Sequence, residues 1–374
     1  MKIALVANTS WNIVNFRRNL ILGLIDKGYE VICIAPVDEF TADIQKLPVT
    51  FIPINIHAKG NNPFIDFLLL RQFTRIYKNQ KPDVIFQYTI KPNIYGTLAA
   101  RIAGIPTINT VTGLGTVFLH NNLVSKIARK LYAFSFQFAR FVVFQNKEDQ
   151  YVFVQNKIVE ESKTCIIRGS GVDTSIFKAA SVSPDRHIFR FVMAARLIFD
   201  KGITEYAVAS KLLHQRFGQA VECVLIGAID SDKNLGIRKE ELDSWIAEHK
   251  LIYKPFSKEI VAEYQLATAV VLPSYREGLS KSLLEAASCS KPLIATNVAG
   301  CKDVVFDNKN GFLCEVKNAQ DLFMKMSDMV KLPKARLNEM GNYSRRLVEE
   351  NFSDKIIFND YFCLANEIIT KDSR

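Results

Sequence analysis

No apolar run in this chain approaches the ~18 residues that a membrane-spanning helix needs, and the opening MKIALVANTS reads as a buried strand, not a signal peptide. Cysteine is sparse and poorly spaced for structural work. Seven residues, at 33, 165, 223, 289, 301, 314 and 363, include no CxxC pair, which excludes a zinc ribbon and argues against a disulfide framework. A reducing compartment fits. The five histidines (57, 120, 187, 214, 249) show no HExxH and no other ligand spacing, so a zinc hydrolase is excluded. No G-x-G-x-x-G follows a strand, which argues against a dinucleotide-binding dehydrogenase. Short internal repeats and low-complexity segments are also missing. One absence is local: between Val84 and Lys147 there is no Asp or Glu at all, against seven Lys and Arg and ten aromatics.

What remains is a folded chain of 374 residues, 48% hydrophobic and 23% charged, long enough for two cores at roughly 150 residues each. Residues 1–180 carry 21 Lys and Arg against 12 Asp and Glu, a net of +9, out of +10 for the whole chain. Such a basic half can face nucleic acid, an anionic membrane or a phosphorylated substrate. Apolar runs of strand length alternate with helical stretches. KIALVAN, VICIAPV, FIPINI, PDVIFQYT, PTINTVTG, FVVFQN and TCIIRGSG form one series, with helices around 64–79, 93–104 and 122–138. RFVMAARL, VECVLIG, LIYKPF, ATAVVLPS, KPLIATN and NGFLCEV form a second, with helices near 202–217, 237–248, 258–267, 281–290 and 318–328. Alternation of this kind predicts parallel sheets covered by helices on both faces. The fold class is therefore α/β, with two Rossmann-like domains at 1–178 and 179–350 joined by a linker within 175–186. A helix at 351–374 is expected to return to the first domain. Two such domains place an active site in the cleft between them.

The most informative segment is PSYREGLSKSLLEAASCSKPLIAT at 273–296. It reads as strand, turn and helix, with Glu277 and Glu285 separated by seven residues and Gly278 in the turn. Backbone N–H groups of Leu279, Ser280, Lys281 and Ser282 and the helix dipole would point at an anion. Glu277 can reach sugar hydroxyls from the turn, and Glu285, two turns into the helix, a pair of vicinal ones. Arg196-Leu197 followed by Asp200-Lys201-Gly202 stands after the first strand of the second domain, RGSGVDTSIF at 168–177 closes the first, and CVLIG at 223–227 and YKPFS at 253–257 follow in order.

Together these segments resemble, over nearly the full length, the GT-B-fold retaining glycosyltransferases of family four, with their E-x7-E, R-L-x-x-x-K-G and N-G-V-D-x-x-x-F elements. IKPNIYGTLAARIAGIPTINTVTGLGTVF, beginning at Ile90, is typical of the bacterial subset that extends a polyprenyl-diphosphate-linked sugar. The resemblance implies that Arg196 and Lys201 hold the nucleotide diphosphate and Glu277 positions the donor sugar. Glu285 takes the ribose hydroxyls, and main chain around Lys254 and Phe256 meets the base. Three positions depart from the family: Pro255 stands where glycine is usual, Ser280 where proline is, and Thr112, in TVTGLGTVF, where many members have histidine. The first βα turn carries Asn8-Thr9-Ser10-Trp11-Asn12 in place of the family's glycine. Thr112 and Gly113 are cleft residues by position.

The same resemblance assigns the acceptor to the first domain, where the basic excess lies. Asn12, Arg17, Arg18, His57, Lys59 and Thr112 are the candidates for it. Lys126, Arg129, Lys130 and Arg140, interleaved with Phe118, Tyr132, Phe134 and Phe138, are the candidates for contact with an anionic inner leaflet. The implied partners are a UDP-sugar, a polyprenyl-diphosphate-linked sugar and that membrane surface at the cytoplasmic face of a bacterial inner membrane, with no nucleic acid. The implied reaction is transfer with retention from a UDP-sugar, UDP-N-acetylgalactosamine by the subset resembled. A capsule or lipopolysaccharide transferase with another hexose donor is one alternative, a nucleotide-sugar epimerase a second, and a non-catalytic sugar-binding module a third. Asp230-Ser231-Asp232 spells the D-x-D of metal-dependent GT-A enzymes but sits in a charged stretch that reads as a solvated loop; no metal or cofactor is expected.

Overall fold

A run such as KIALV has no polar face to turn to water, and the chain buries it on both sides: four of the five residues of strand β1 (Lys2–Val6) are fully enclosed. The computed structural model describes residues 1–57, 62–114, 123–180, 188–229, 236–256 and 259–372. Within these, the chain divides into two compact units, Met1–Gly171 with Asp354–Arg374, and Val172–Ser353.

In the first unit β1 is joined by β2 (Glu30–Ala35), β3 (Thr50–Pro53), β4 (Val84–Tyr88), β5 (Thr107–Val111), β6 (Phe141–Phe144) and β7 (Thr164–Ile166). All pairs are parallel and the order is β3-β2-β1-β4-β5-β6-β7. Thr9 ends the first turn and starts the Ser10–Asp26 helix, its Oγ1 accepting the Asn12 N–H at 3.1 Å. The Asp354–Asp372 helix packs Ile357, Tyr361, Ala365 and Ile368 into the same core as Ile3, Leu5, Phe86 and Tyr88.

The second unit repeats the plan with β8 (Phe189–Ala194), β9 (Val221–Ile226), β10 (Leu251–Lys254), β11 (Ala269–Leu272), β12 (Leu293–Thr296) and β13 (Gly311–Cys314), ordered β10-β9-β8-β11-β12-β13. Strand order reverses between β1 and β4 in one sheet and between β8 and β11 in the other. The carboxyl edge at such a reversal is where open α/β sheets bind ligands.

The junctions differ from those the sequence indicates. They fall at 171/172 and 353/354, not at 178/179 and 350/351, because Val172 already pairs with Ser353 and Phe177 packs on the second core. The helices Lys147–Gln155 and Lys334–Asn351 also have no counterpart in the sequence reading.

Candidate functional site

In the second unit the loops leaving β8 and β11 flank the reversal point. Ser274 Oγ and the Tyr275 N–H both donate to the Asp200 carbonyl, at 3.1 and 2.8 Å, and the Tyr275 hydroxyl donates to Glu205 at 2.8 Å. That stitching holds the 199–202 turn against the 273–278 loop. It brings Lys201 and Glu277 into a direct ion pair, with 19% and 14% of their side chains exposed. Arg196, earlier in the same loop, is exposed. The cation and carboxylate assigned from separate motifs are thus one unit.

The Lys281–Ser288 helix begins beside this pair. Ser280, where the family has proline, is its cap and accepts the Leu283 N–H at 3.3 Å. The expectation that every N–H from Leu279 to Ser282 faces an anion needs correction, because Ser280 donates its own to the Gly300 carbonyl at 3.2 Å. Gly278, Leu279 and Ser280 are all buried, and Lys281 and Ser282 are partly exposed. Gly300 supports the turn from behind. Its φ is +77° and a Cβ there would fall 2.5 Å from the Glu277 carbonyl, so no other residue lets the chain pass so close. Glu285 lies within the helix with 14% of its side chain exposed and Lys281 Nζ at 3.8 Å. Burial raises its carboxyl from the ordinary 4.5 to about 7, against the pull of Lys281 and of the neighbouring Tyr264 hydroxyl.

The edge strand β10 ends at Lys254, held at 2.5 Å by Glu263, whose other oxygen takes Arg190 at 3.0 Å. Burial pushes the Glu263 carboxyl up, but bonds and charge from Lys254 and Arg190 bring it below the usual range. Arg190 also reaches Glu222 at 2.8 Å. The loop beyond begins with Pro255 and the exposed ring of Phe256 on this fixed base. Asp230 and Asp232 lie outside the described residues, as does Lys59.

In the first unit, Thr112 and Gly113 follow β5 and are partly exposed. Asn12 is partly buried, Arg18 and His57 are exposed, and Arg17 is enclosed, with its guanidinium stacked on Tyr88 at 3.8 Å. Of the four residues assigned to a membrane, Lys126 and Lys130 are exposed and Arg129 is partly so. Arg140 is a correction. The sequence offers no acid nearby, but Glu367 of the C-terminal helix approaches its guanidinium to 3.9 Å.

Two family patterns cover most of the chain. "Glycosyl transferase 4-like" matches residues 2–146, and "Glycosyl transferases group 1" matches 177–347, the stretch that contains Arg196, Lys201, Glu277 and Glu285. The chain belongs to the glycosyltransferases. Among curated relatives, the N,N'-diacetylbacillosaminyl-diphospho-undecaprenol alpha-1,3-N-acetylgalactosaminyltransferase of Campylobacter jejuni is 29% identical over 99% of both chains. The UDP-Gal:alpha-D-GlcNAc-diphosphoundecaprenol alpha-1,3-galactosyltransferase of Escherichia coli is 24% identical over 83% of this chain and 88% of its own. The crystal structure of HepE from Anabaena in complex with UDP superposes with a TM-score of 0.80 at 18% identity, covering 98% of this chain and all of that one. The fold is GT-B.

In this glycosyltransferase, sequence reasoning missed the residues that assemble the pair. Tyr275 stands inside the PSYREG segment, where its hydroxyl carries no motif signature, and Gly300 lies past the segment altogether. A glycine directly after a strand and turn was the available signal for the second.

Proposed function

We propose that this glycosyltransferase moves a sugar, with retention, from a UDP-sugar onto a saccharide carried by polyprenyl diphosphate, and that the sugar is N-acetylgalactosamine. The observation that carries the reading is the Lys201–Glu277 pair at the reversal point of the second sheet, with Arg196 in the same loop. As the glycosidic bond stretches, charge grows on the departing UDP phosphate while the sugar ring becomes oxocarbenium-like. A preorganised lysine and arginine favour that charge, and Glu277 holds the sugar against them. The acceptor hydroxyl enters on the face the phosphate leaves and passes its proton to the departing phosphate oxygen, so no carboxylate nucleophile is needed. Both relatives are named for a diphosphoundecaprenol-linked acceptor but for different donors. The acceptor class therefore rests on two names and the donor on one. The test is a panel of UDP-sugars with polyprenyl-diphosphate-linked saccharides, followed by UDP release. Release with UDP-N-acetylgalactosamine and a lipid-linked acceptor supports the reading; isomerised donor with no UDP released sinks it in favour of an epimerase.

Protein cations supply the phosphate charge in this reading, so we assign no metal. EDTA should leave the rate largely unchanged, and a strict Mg²⁺ requirement, restored by adding the ion back, would revive Asp230 and Asp232.

Glu285 is assigned the ribose hydroxyls. A carboxylate accepts two hydroxyl hydrogens where a carboxylic acid competes as a donor, and this group changes state near pH 7. Donor KM should fall as pH rises through about 7, and Glu285→Gln should raise KM more than it lowers kcat and flatten that profile. The stability sign is opposite. A carboxyl raised above its ordinary 4.5 binds a proton that the unfolded chain has released, so the fold loses stability as pH climbs from 4.5 through about 7. The melting temperature of Glu285→Gln should therefore gain on wild type between about pH 5 and pH 8.

For the membrane, the reading rests on two helices. The Pro63–Gln80 helix exposes Phe64, Phe67 and Leu68 and, further along the same stripe, Arg71, Arg75 and Lys78, none of which makes an ion pair among the described residues. The Leu123–Phe136 helix exposes Ile127 and Phe134 beside Lys126 and Lys130. The Thr97–Ala103 helix, with Ile102 exposed, touches both. Among the described residues no helix is long and apolar enough to cross a membrane. Contact would be lateral, through these stripes.

A further inference from the structure

We propose that Arg17, stacked on the Tyr88 ring, forms the buried half of an oxyanion site in the first unit, and that its ligand is a phosphoryl group of the acceptor's diphosphate, an identity that rests on the function proposed above. Arg17 stands in the second turn of the Ser10–Asp26 helix and is 2% exposed. Among the described residues it makes no hydrogen bond or ion pair; its contact is the Tyr88 ring, 3.8 Å from the guanidinium carbon, and its Nε is buried without a partner. Tyr88 is fully enclosed, and its hydroxyl is turned toward that of Tyr361. The Tyr361 hydroxyl also meets that of Thr110 at 3.0 Å.

An arginine cannot shed its proton inside a protein, so the first unit encloses a full positive charge. The ring face returns only part of what desolvating an unpaired ion costs. Two other enclosed cations of this chain are neutralised: Arg190, 8% exposed, takes two carboxylates at 2.8 and 3.0 Å, and Lys91 takes Asp66 at 2.7 Å. The Arg17 guanidinium is a donor only, and what it lacks among the described residues is an acceptor. A phosphoryl oxyanion fits a guanidinium fork. The place agrees. Tyr88 closes β4 and the Arg17 helix follows β1, the two strands between which the sheet order reverses. Thr89, next in the chain, is held at φ +72°, a strained geometry of the kind found at ligand sites.

The experiment titrates inorganic pyrophosphate into the full-length protein with UDP already saturating, so that the second unit is occupied, and follows binding by calorimetry and melting temperature. Wild type should bind pyrophosphate. Arg17→Met, which keeps the stacking and removes the charge, should bind at least about tenfold more weakly, and should melt no lower than wild type without ligand, since an unpaired buried ion has been removed. A melting temperature lowered by several degrees with pyrophosphate binding intact would make Arg17 a structural cation and overturn the site. So would a wild type that ignores pyrophosphate. If Arg17→Met does not fold, Arg17→Lys keeps a cation and loses the planar fork, and its pyrophosphate affinity should fall several-fold; unchanged affinity there overturns the site. With a lipid-linked acceptor, acceptor KM should rise in either variant while donor KM holds. Weakened pyrophosphate binding with acceptor KM unchanged overturns the acceptor assignment alone, and absence of any transfer by wild type fails the functional reading while the pyrophosphate arm still decides the site.

Discussion

Replacing Lys201 with alanine should lower turnover roughly 100- to 1,000-fold at saturating donor, the effect of removing one donor aimed at developing charge, about 2.7–4 kcal/mol. Lys201 is also the partner of Glu277, and both side chains are mostly buried. Removing the lysine therefore leaves a carboxylate enclosed without a counterion, and the melting temperature should fall as well. Glu277→Gln alone leaves the lysine enclosed without its carboxylate. A double-mutant cycle separates the two effects: stability losses in Lys201→Met and Glu277→Gln should partly cancel in the double mutant, while turnover losses should not recover. Near wild-type turnover in Lys201→Ala would remove the phosphate assignment. Full additivity in stability would mean that the ion pair is not a feature of the ligand-free protein.

The membrane reading carries the second large effect. Each Lys or Arg close to an anionic surface contributes about 1 kcal/mol, so reversing Arg75, Lys126 and Lys130 to Glu should weaken sedimentation with anionic liposomes on the order of 100-fold or more. Binding of wild type should fall with salt, and transfer to a short, soluble acceptor analogue should survive the reversal while use of the full-length lipid acceptor slows. Arg140→Glu should matter less than its position suggests, because Glu367 already offsets that charge. Equal loss on both acceptors, or unchanged liposome binding, would make these helices structural surfaces.

The alternation of strands and helices was legible because each strand is a continuous apolar run buried on both faces, a signal that needs no partner to be read. Arg196, Lys201, Glu277 and Glu285 could be named as candidates because the motif spacings lie within short segments. What could not be read were relations across long separations. Lys201 meets Glu277 because Asp200 accepts bonds from Ser274 and Tyr275, more than seventy residues on. Arg140 meets an acid from the far end of the chain. Val172 belongs with Ser353, which moves the first junction seven residues earlier than the weakly patterned stretch after Ser175 implied. Arg17 was placed on the right helix, but its enclosure over Tyr88 depends on a β4 residue that no local pattern ties to it.

The two junctions have a consequence for how this protein can be taken apart. The Val172 N–H donates to the Phe352 carbonyl at 3.0 Å, so the second unit begins and ends at neighbouring points. On the other side of the break, Gly171 lies so near Asp354 that a Cβ on it would come within 2.6 Å of the Asp354 Cα. The second unit is thus an insertion with adjoining ends, the arrangement in which a domain can be excised or exchanged without tearing its host. Residues 172–353 form a cassette, and swapping that cassette between related enzymes should exchange the nucleotide-sugar chemistry while the receiving half, closed by its own C-terminal helix, keeps its core.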